Sequence, residues 1–132
     1  MMKKEPLPFE EGSIAQRGAI VNAASVNSLL SLPGSVPYTT SKHAVMGITK
    51  TAALEARAHQ IRVNALSQGF LLTELTRPLT ENATGGVLDG LWGAMEKRQG
   101  RSAKVEEVGD VAVLITSPRM GLVNGVNLFV DG

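Results

Sequence analysis

Three short apolar runs rich in β-branched residues stand out along the chain and predict the strands of a sheet. They are GAIVNAA from Gly18 to Ala24, IRVNAL from Ile61 to Leu66, and GVNLFV from Gly125 to Val130. A nearly uninterrupted apolar run of this length is typical of a strand that is buried on both faces of a parallel sheet. We therefore expect about three parallel strands.

The segment between the first two runs predicts a long helix. From Pro37 to about Ala58 the sequence is rich in alanine and has no further proline, and Val45, Ile48 and Ala52 recur at helical spacing. Pro37 fits the first helical turn, where its missing N–H costs nothing. A strand, a helix and a strand in this order form a crossover unit, which is right-handed in nearly all parallel sheets.

Glycine and proline residues interrupt the segment from Gln68 to Gln99. The residues that predict one short amphipathic helix within it are Leu88, Leu91, Trp92 and Met95. Frequent glycine and proline residues of this kind are typical of a mobile flap. We expect Leu72 to Arg98 to be the least ordered internal region of the protein.

A second long helix is predicted from Lys104 to Thr116. Glu106 and Glu107 lie near its start, where carboxylates interact favourably with the helix macrodipole. The residues that share its apolar face are Val108, Val111, Ala112 and Ile115. Alternation of strands and helices predicts an α/β fold with a parallel sheet.

The composition is that of one globular domain. The chain has 132 residues, 43% of them hydrophobic, which suffices for a core. Thirteen basic and twelve acidic side chains give a net charge of +1, which provides no field to attract nucleic acid or an anionic membrane. Apolar stretches are far shorter than the roughly 20 residues that span a bilayer. We expect a soluble protein without nucleic-acid or membrane partners.

The absence of cysteine excludes disulfides and thiolate metal sites and is compatible with a reducing compartment. Residues Met1 to Glu11 contain no apolar run of signal-peptide length, so we expect a cytoplasmic location. His43 and His59 have no carboxylate at ligand spacing, and no metal site is expected. Asn22 and Asn64, inside two predicted strands, are assigned to the framework of the sheet.

Tyr38 and Lys42 stand four residues apart on the predicted long helix, so their side chains leave the same face one turn apart. A free phenol ionises only at about pH 10, but a nearby ammonium group stabilises the phenolate. Tyr38 can then exchange a proton with an alcohol or carbonyl oxygen. The alternative is that Tyr38 is an ordinary surface residue of the helix, because such a pair also arises by chance.

Ser25 ends the first predicted strand, at the carboxyl edge where ligands bind in parallel α/β sheets. Its hydroxyl could hydrogen-bond the same substrate oxygen as Tyr38. A serine before a loop more often caps a helix or forms a turn, so Ser25 alone would be given a structural role. The order of the motifs along the chain decides between these interpretations.

Taken in order, these segments resemble the short-chain dehydrogenase/reductase family over about 115 residues. GAIVNAAS resembles the strand that ends in the family's catalytic serine, and Ser25 precedes Tyr38 by the thirteen positions that this family uses. YTTSKHAVMGITKTAALE resembles the family's Tyr-x-x-x-Lys helix. IRVNALSQGFLLT resembles its next strand and the Pro-Gly loop that follows, and NGVNLFVDG resembles its final strand.

The resemblance implies a partial Rossmann-like, doubly wound sheet and an oxidoreductase that moves a hydride between NAD(P) and a small-molecule alcohol or ketone. Ser25 would polarise the substrate oxygen, and Tyr38 would act as the acid and base. Lys42 would hold the nicotinamide ribose and stabilise the phenolate, so that Tyr38 and Lys42 would both contact the cofactor. Gly69, the backbone of Leu71 and Thr73 would lie along the nicotinamide amide and the pyrophosphate.

Two departures from the family pattern are visible in the sequence. Gln68 stands where the family has the proline of its Pro-Gly turn. The glycine-rich TGxxxGxG turn, which places a pyrophosphate at a helix amino terminus, is absent from the 132 residues. The resemblance therefore implies NAD(P) without a choice between NAD and NADP, since the residue that meets the ribose 2′ position belongs to the same half of the family's fold.

We expect residues 1–17 to be the remnant of a preceding helix and loop, and residues 18–132 to be the carboxyl-terminal part of one catalytic domain. Two function hypotheses follow. The first is a short-chain oxidoreductase, and the second is a catalytically silent remnant or interaction module. The strand edge near Val21 would normally pair with another strand, so self-association, as a homo-oligomer or an aggregate, is the expected result.

Overall fold

The computed structural model describes residues 15–77 and 90–132. The predicted remnant lies outside the described residues up to residue 14, and so does the middle of the predicted flap, residues 78–89. No helix in the described part of the chain is both long enough and apolar enough to cross a bilayer.

Three parallel strands form the sheet in the part of the chain that the structure describes, which confirms the prediction. They are β1 (Gly18–Ala23), β2 (Ile61–Gln68) and β3 (Asn127–Val130). β2 lies in the centre, pairing with β1 along its first six residues and with β3 along its last four. Because the strands are parallel, their carboxyl ends meet at one edge of the sheet.

Within residues 15–77 and 90–132, three α-helices accompany the sheet. They are α1 (Val36–Ala56), α2 (Leu91–Gln99) and α3 (Val105–Thr116). All three were expected, and Pro37 lies in the first turn of α1 as predicted. A short 3-10 helix, Arg57–His59, continues α1. The chain then turns at Gln60, whose φ of 58° is left-handed, and enters β2.

Helices α1 and α3 cover opposite faces of β2. The Ala65 side chain packs against Met46 of α1, whereas the Arg62 side chain reaches the carbonyl groups that end α3. Residues an odd number of positions apart on a strand point to opposite faces. The fold is therefore a three-layer α/β arrangement around a central strand.

Burial differs between β1 and β2 although their sequences gave the same prediction. Every residue from Arg62 to Ser67 is buried, which confirms two-sided burial for β2. In β1 no residue is fully buried, and Ile20 is 41% exposed. Two-sided burial is therefore wrong for β1 in this chain. The physical reason is its place at the sheet edge, where α1 packs mainly on β2 and covers β1 only in part.

The helical spacing of Val45, Ile48 and Ala52 does not identify the buried face of α1. Met46, Thr49 and Ala53 are buried, whereas Ile48 is 62% exposed. Both sets of positions have helical spacing, so the apolar pattern establishes the period of the helix but not which side faces the sheet. Thr49 can be buried because its hydroxyl accepts a hydrogen bond from Asn22 Nδ2 at 2.9 Å.

Asn64 serves the sheet framework, as predicted. Its Nδ2 donates to the Val123 carbonyl oxygen at 2.9 Å, and its Oδ1 accepts from the Val126 N–H at 3.1 Å. Asn22 does the same for β1 through its bond to Thr49. These bonds satisfy polar groups that would otherwise be buried at a cost.

Arg62 joins β2 to the end of α3, a role that the sequence pattern did not predict. Its Nε donates to Gln16 Oε1 and its Nη1 to the Val123 carbonyl oxygen, both at 2.9 Å. Its Nη2 donates to the carbonyl oxygens of Ile115 and Ser117, both at 3.0 Å. The cation thus meets the negative end of the α3 macrodipole. Burial lowers the pKa of the Arg62 guanidinium from its ordinary value.

The start of α3 is held by an exposed ion pair. Arg101 Nη1 donates to Glu107 Oε2 at 2.8 Å, and the Lys104 backbone N–H donates to the same oxygen at 2.9 Å. The hydrogen bond from Arg101, followed by the one from Lys104, lowers the pKa of Glu107 from 4.5 to about 2. The expected placement of Glu107 in the first turn of α3 is confirmed.

Candidate active site

Ser25 lies just beyond the carboxyl end of β1 and begins the short 3-10 helix Val26–Ser28. Its Oγ accepts a hydrogen bond from the Asn27 backbone N–H at 3.2 Å, the usual interaction of a serine at a helix start. Ser25 is 7% exposed. In the described part of the chain, no group accepts a hydrogen bond from its O–H. The capping role and the predicted chemical role are therefore compatible.

Tyr38 and Lys42 lie in the first two turns of α1. Tyr38 is 48% exposed, and its hydroxyl makes no hydrogen bond to a described residue. The Lys42 Nζ lies 5.6 Å from the centroid of the Tyr38 ring, within the range of a cation–π contact. Lys42 also donates to the carbonyl oxygen of Ala23, the last residue of β1, at 3.1 Å. This bond fixes the ammonium at the carboxyl edge of the sheet.

A cleft of about 670 Å³ opens at this edge. The predicted site residues that line it are Ser25, Tyr38, Gly69, Leu71 and Thr73. Lys42 is not part of the lining but stands one helical turn behind Tyr38. The volume is within the range of small-molecule sites, about 300 to 1,000 Å³. The structure thus brings five of the predicted site residues to one concave surface and places the sixth, Lys42, beside Tyr38.

Apolar side chains that the sequence did not assign to the site make up much of the cleft. They are Val26, Leu32, Phe70, Leu75 and Met95. Met95 lies on α2, the short helix predicted within the flap, and its position on the cleft fits a flap that borders a ligand site. An apolar lining with a few polar groups is typical of sites for small organic molecules.

The loop after β2 is clamped at Gly69. A Cβ on this glycine would collide with Gln99 Oε1 and lie 3.0 Å from the Asp131 Cβ. The Gln99 side chain pairs with the Phe70 backbone, accepting from its N–H at 2.7 Å and donating to its carbonyl oxygen at 3.1 Å. Gln68, which replaces the family's proline, is the last residue of β2. The end of α2 therefore holds the loop that lines the cleft.

Thr73 is engaged in a local turn with Thr76. The Thr73 N–H donates to Thr76 Oγ1 at 2.8 Å, and the Thr76 N–H donates to Thr73 Oγ1 at 3.2 Å. Thr76 Oγ1 in turn donates to the Leu71 carbonyl oxygen at 2.6 Å. These bonds fix the loop at the far end of the cleft.

A second cavity of about 420 Å³ adjoins the cleft. It shares Val26, Phe70 and Met95 with the cleft and extends to Arg98 and Asp131. Within residues 15–77 and 90–132, no group of three His, Cys, Asp or Glu side chains could hold a metal ion. The site is built from hydroxyl, ammonium and apolar groups.

A parallel sheet flanked by helices, with a ligand-sized cleft at its carboxyl edge, defines a Rossmann-like α/β protein. The model of the family described as Enoyl-(Acyl carrier protein) reductase matches residues 7–132. The chain is also 46% identical over 118 residues to the Short-chain dehydrogenase anuF of Penicillium roqueforti, covering 88% of this chain and 41% of that protein. The chain therefore belongs to the short-chain dehydrogenase/reductase family of oxidoreductases.

Solved structures agree with this assignment. The gluconate 5-dehydrogenase of Burkholderia cenocepacia, in complex with NADP and tartrate, matches with a TM-score of 0.75 and 34% identity over 86% of this chain and 43% of that chain. The L-sorbose reductase of Gluconobacter frateurii, complexed with NADPH and L-sorbose, matches with a TM-score of 0.73 and 30% identity over 86% and 46%. The chain spans less than half the length of these relatives.

Proposed function

We propose that the chain carries the Ser, Tyr and Lys part of an active site that transfers a hydride between NAD(P) and a small-molecule alcohol or ketone. The observation that supports this best is one cleft lined by Ser25 and Tyr38, with the Lys42 ammonium beside the Tyr38 ring. Both hydroxyl groups retain hydrogen-bonding capacity toward the cleft, which groups that receive a substrate oxygen require.

The cleft fits the nicotinamide end of a dinucleotide. Its volume and its apolar lining suit a planar ring, and Gly69, Leu71 and Thr73 border it where the family resemblance places the nicotinamide and the pyrophosphate. Lys42 would hold a ribose hydroxyl. The related structures that contain NADP or NADPH support a nicotinamide cofactor. When bound, this cofactor would supply or accept the hydride.

The chain's own residues would handle the proton. In the reduction of a ketone, the Ser25 O–H donates a hydrogen bond to the carbonyl oxygen, and the Tyr38 O–H gives that oxygen a proton as it gains negative charge. The phenolate that remains is stabilised by the Lys42 ammonium. In the oxidation of an alcohol the same proton moves in the opposite direction, from the substrate O–H to the Tyr38 oxygen.

A catalytically silent chain is the second candidate. It is favoured by one sequence observation, the absence of a TGxxxGxG turn from the 132 residues. A pyrophosphate normally binds to backbone N–H groups at the helix start that follows such a turn. This candidate predicts a folded protein whose cleft binds ligands but does not turn them over.

Turnover distinguishes the two candidates. Oxidation of NADPH and NADH would be followed at 340 nm with a panel of small ketones and keto sugars, for the chain alone and with any in-frame upstream sequence included. Ser117→Ala is the matched control for Ser25→Ala, because Ser117 Oγ also accepts a hydrogen bond from the backbone N–H two residues further on but lies at the end of α3, beside Arg62. The proposal requires turnover in at least one form that Ser25→Ala abolishes and Ser117→Ala preserves. Turnover in neither form would favour the silent candidate.

A further inference from the structure

Three polar side chains close a ring of hydrogen bonds beneath the cleft. Ser67 Oγ donates to Asn127 Oδ1 at 2.6 Å, Asn127 Nδ2 donates to Ser28 Oγ at 2.8 Å, and the two serine oxygens lie 2.9 Å apart. The single proton of Ser67 is already given to Asn127, so Ser28 must be the donor to Ser67. Each side chain thus donates once and accepts once, and the ring of Ser28, Ser67 and Asn127 runs in one direction.

Two of the three residues of this ring are shielded from solvent. Ser67 is fully buried and Ser28 is 6% exposed, whereas Asn127 is partly buried. Hydrogen bonds in such surroundings strengthen one another, and the loss of one partner leaves the others unsatisfied at a cost. The ring is therefore rigid, because no member can rotate away without leaving its neighbours unpaired.

The ring joins three elements at the carboxyl edge of the sheet. Ser67 is the second-last residue of β2 and Asn127 is the first residue of β3. Ser28 is the last residue of the 3-10 helix that Ser25 begins. The residues from Ser25 to Ser28, which we call the serine turn, are thereby tied to both neighbouring strands. This link lies only three residues from the hydroxyl that faces the cleft.

A second link runs from the serine turn to the start of α1. Asn27 Nδ2 donates to Thr39 Oγ1 at 3.4 Å, and the hydroxyls of Thr39 and Ser35 are 2.8 Å apart. Because Ser35 gives its proton to the Leu32 carbonyl oxygen, Thr39 donates to Ser35. Thr39 directly follows Tyr38 in α1. The serine turn is therefore tied both to the sheet and to the first turn of α1, which carries Tyr38.

We propose that Ser28, Ser67 and Asn127 are positioning residues that hold the serine turn, and with it the Ser25 hydroxyl, at the cleft. The inference depends on the proposed function only for the role given to Ser25. None of the three residues needs to touch a substrate or a cofactor. Their effect passes through the backbone of the serine turn, whose Asn27 N–H is the donor to Ser25 Oγ.

Amide hydrogen exchange of the full chain, followed by NMR, tests the positioning role. The Asn27 N–H reports the serine turn, and the Ala65 N–H, which donates to the Val126 carbonyl oxygen, reports the sheet. Ser28→Ala should accelerate exchange at Asn27 roughly tenfold more than at Ala65, because one buried bond of the turn is lost. Ser67→Ala should reproduce the effect, since it opens the same ring from β2. The matched control Ser117→Ala, at the end of α3, should leave the ratio unchanged.

Two results would overturn the inference. One is equal acceleration at Asn27 and Ala65, which would show only a general loss of stability, and the other is no acceleration at Asn27 in either ring variant. In any form of the protein that turns over, Ser28→Ala should lower kcat several-fold with KM nearly unchanged, and the opposite split would also contradict it. An absence of turnover in the unaltered protein counts against the proposed function, whereas the exchange ratio still decides the positioning role.

Discussion

The polar side chains around the two ends of β2 differ in how many of their hydrogen bonds are formed within the protein. At the amino end, the donors of Arg62 and Asn64 are directed to carbonyl oxygens or to Gln16. At the carboxyl end, the hydroxyls of Ser25 and Tyr38 border an open cleft and keep capacity for further bonds. Buried polar groups are normally satisfied, so saturation at one end indicates a structural role. Spare capacity at the other end indicates a place for a ligand.

The carboxyl end itself contains both kinds of group. The ring of Ser28, Ser67 and Asn127 is saturated, and it lies directly beneath the unsaturated hydroxyls. A reactive hydroxyl that keeps free hydrogen-bonding capacity must be held by residues whose own hydrogen bonds are all formed. If those residues were mobile, the hydroxyl would form hydrogen bonds within the protein instead. The two ends of β2 thus differ in the share of polar groups whose hydrogen bonds are satisfied within the protein. Substitutions can test this difference.

The largest effect is expected from Tyr38→Phe, which removes only the phenolic oxygen at the carboxyl end. Loss of the proposed acid and base should lower kcat by about 10²- to 10⁴-fold. Stability should change by less than about 0.5 kcal/mol, because the hydroxyl makes no bond to a described residue and the side chain is half-exposed. Steady-state kinetics and urea denaturation measure the two quantities. A stability loss without a kinetic loss would reverse the roles assigned to the two ends.

The next largest effect is expected from Arg62→Met at the amino end. The methionine fills part of the space but leaves Gln16 and the carbonyl oxygens at the end of α3 without their donor. We expect a loss of about 2 to 4 kcal/mol in the free energy of unfolding, from several buried groups left unsatisfied. Urea denaturation measures it, with Arg119→Met, at an exposed position, as the control. A loss no larger than that of the control would show that the amino end is not held by Arg62.

A smaller effect concerns the affinity for the cofactor. The nicotinamide part of the cofactor would bind at the carboxyl end of β2. Without a glycine-rich turn for the pyrophosphate, the 132-residue chain should bind NADPH or NADH with a Kd on the order of 1 mM or weaker. Calorimetric titration of the chain, alongside a form with any in-frame upstream sequence included, measures the difference. Micromolar binding by the chain alone would show that the cleft suffices for the whole cofactor.

The smallest effect is expected from the exposed pair of Arg101 and Glu107, which lies outside both ends of β2. The pKa of Glu107 in the folded protein is about 2, below its ordinary 4.5. The unfolded chain therefore binds a proton first as the pH falls, and the stabilisation by ionised Glu107 is present above about pH 4.5 and lost toward pH 2. Glu107→Gln should flatten the pH dependence of stability in that window. An unchanged dependence would show that the pair is fully screened by solvent.

The sequence predicted the elements of the fold because their signals are local. Short β-branched runs gave the three strands, and alanine-rich periodicity gave α1. Burial was predicted less well, since it depends on neighbours that lie far away in the chain. Ile20 and Ile48 are exposed because β1 lies at the sheet edge and α1 turns another face to the sheet. Both features are decided by packing, and the apolar pattern of the sequence predicts neither of them.

The candidate site was predicted through the order and spacing of its motifs. Ser25, Tyr38 and Lys42 were found because the strand and the helix that carry them are adjacent in the chain. The contacts that support them join distant segments, as in the bond between Ser28 and Asn127 or the pairing of Gln99 with Phe70. The available signal was a polar residue in a strand of mostly apolar residues. Arg62 and Ser67 of β2 are such residues, but the sequence pattern does not identify their hydrogen-bond partners.

The close packing around Gly69 limits how the specificity of this protein could be altered. Directed evolution of a binding site usually varies the residues of the loop that borders it. Here a Cβ at position 69 would collide with Gln99 Oε1 and crowd Asp131, so the Gln99 side chain would have to leave the Phe70 backbone. A mutant library would therefore keep this glycine constant and diversify Leu71, Leu75 and Met95, which line the same cleft. Variation at these positions would change the shape of the cleft while the clamp that holds the loop stays intact.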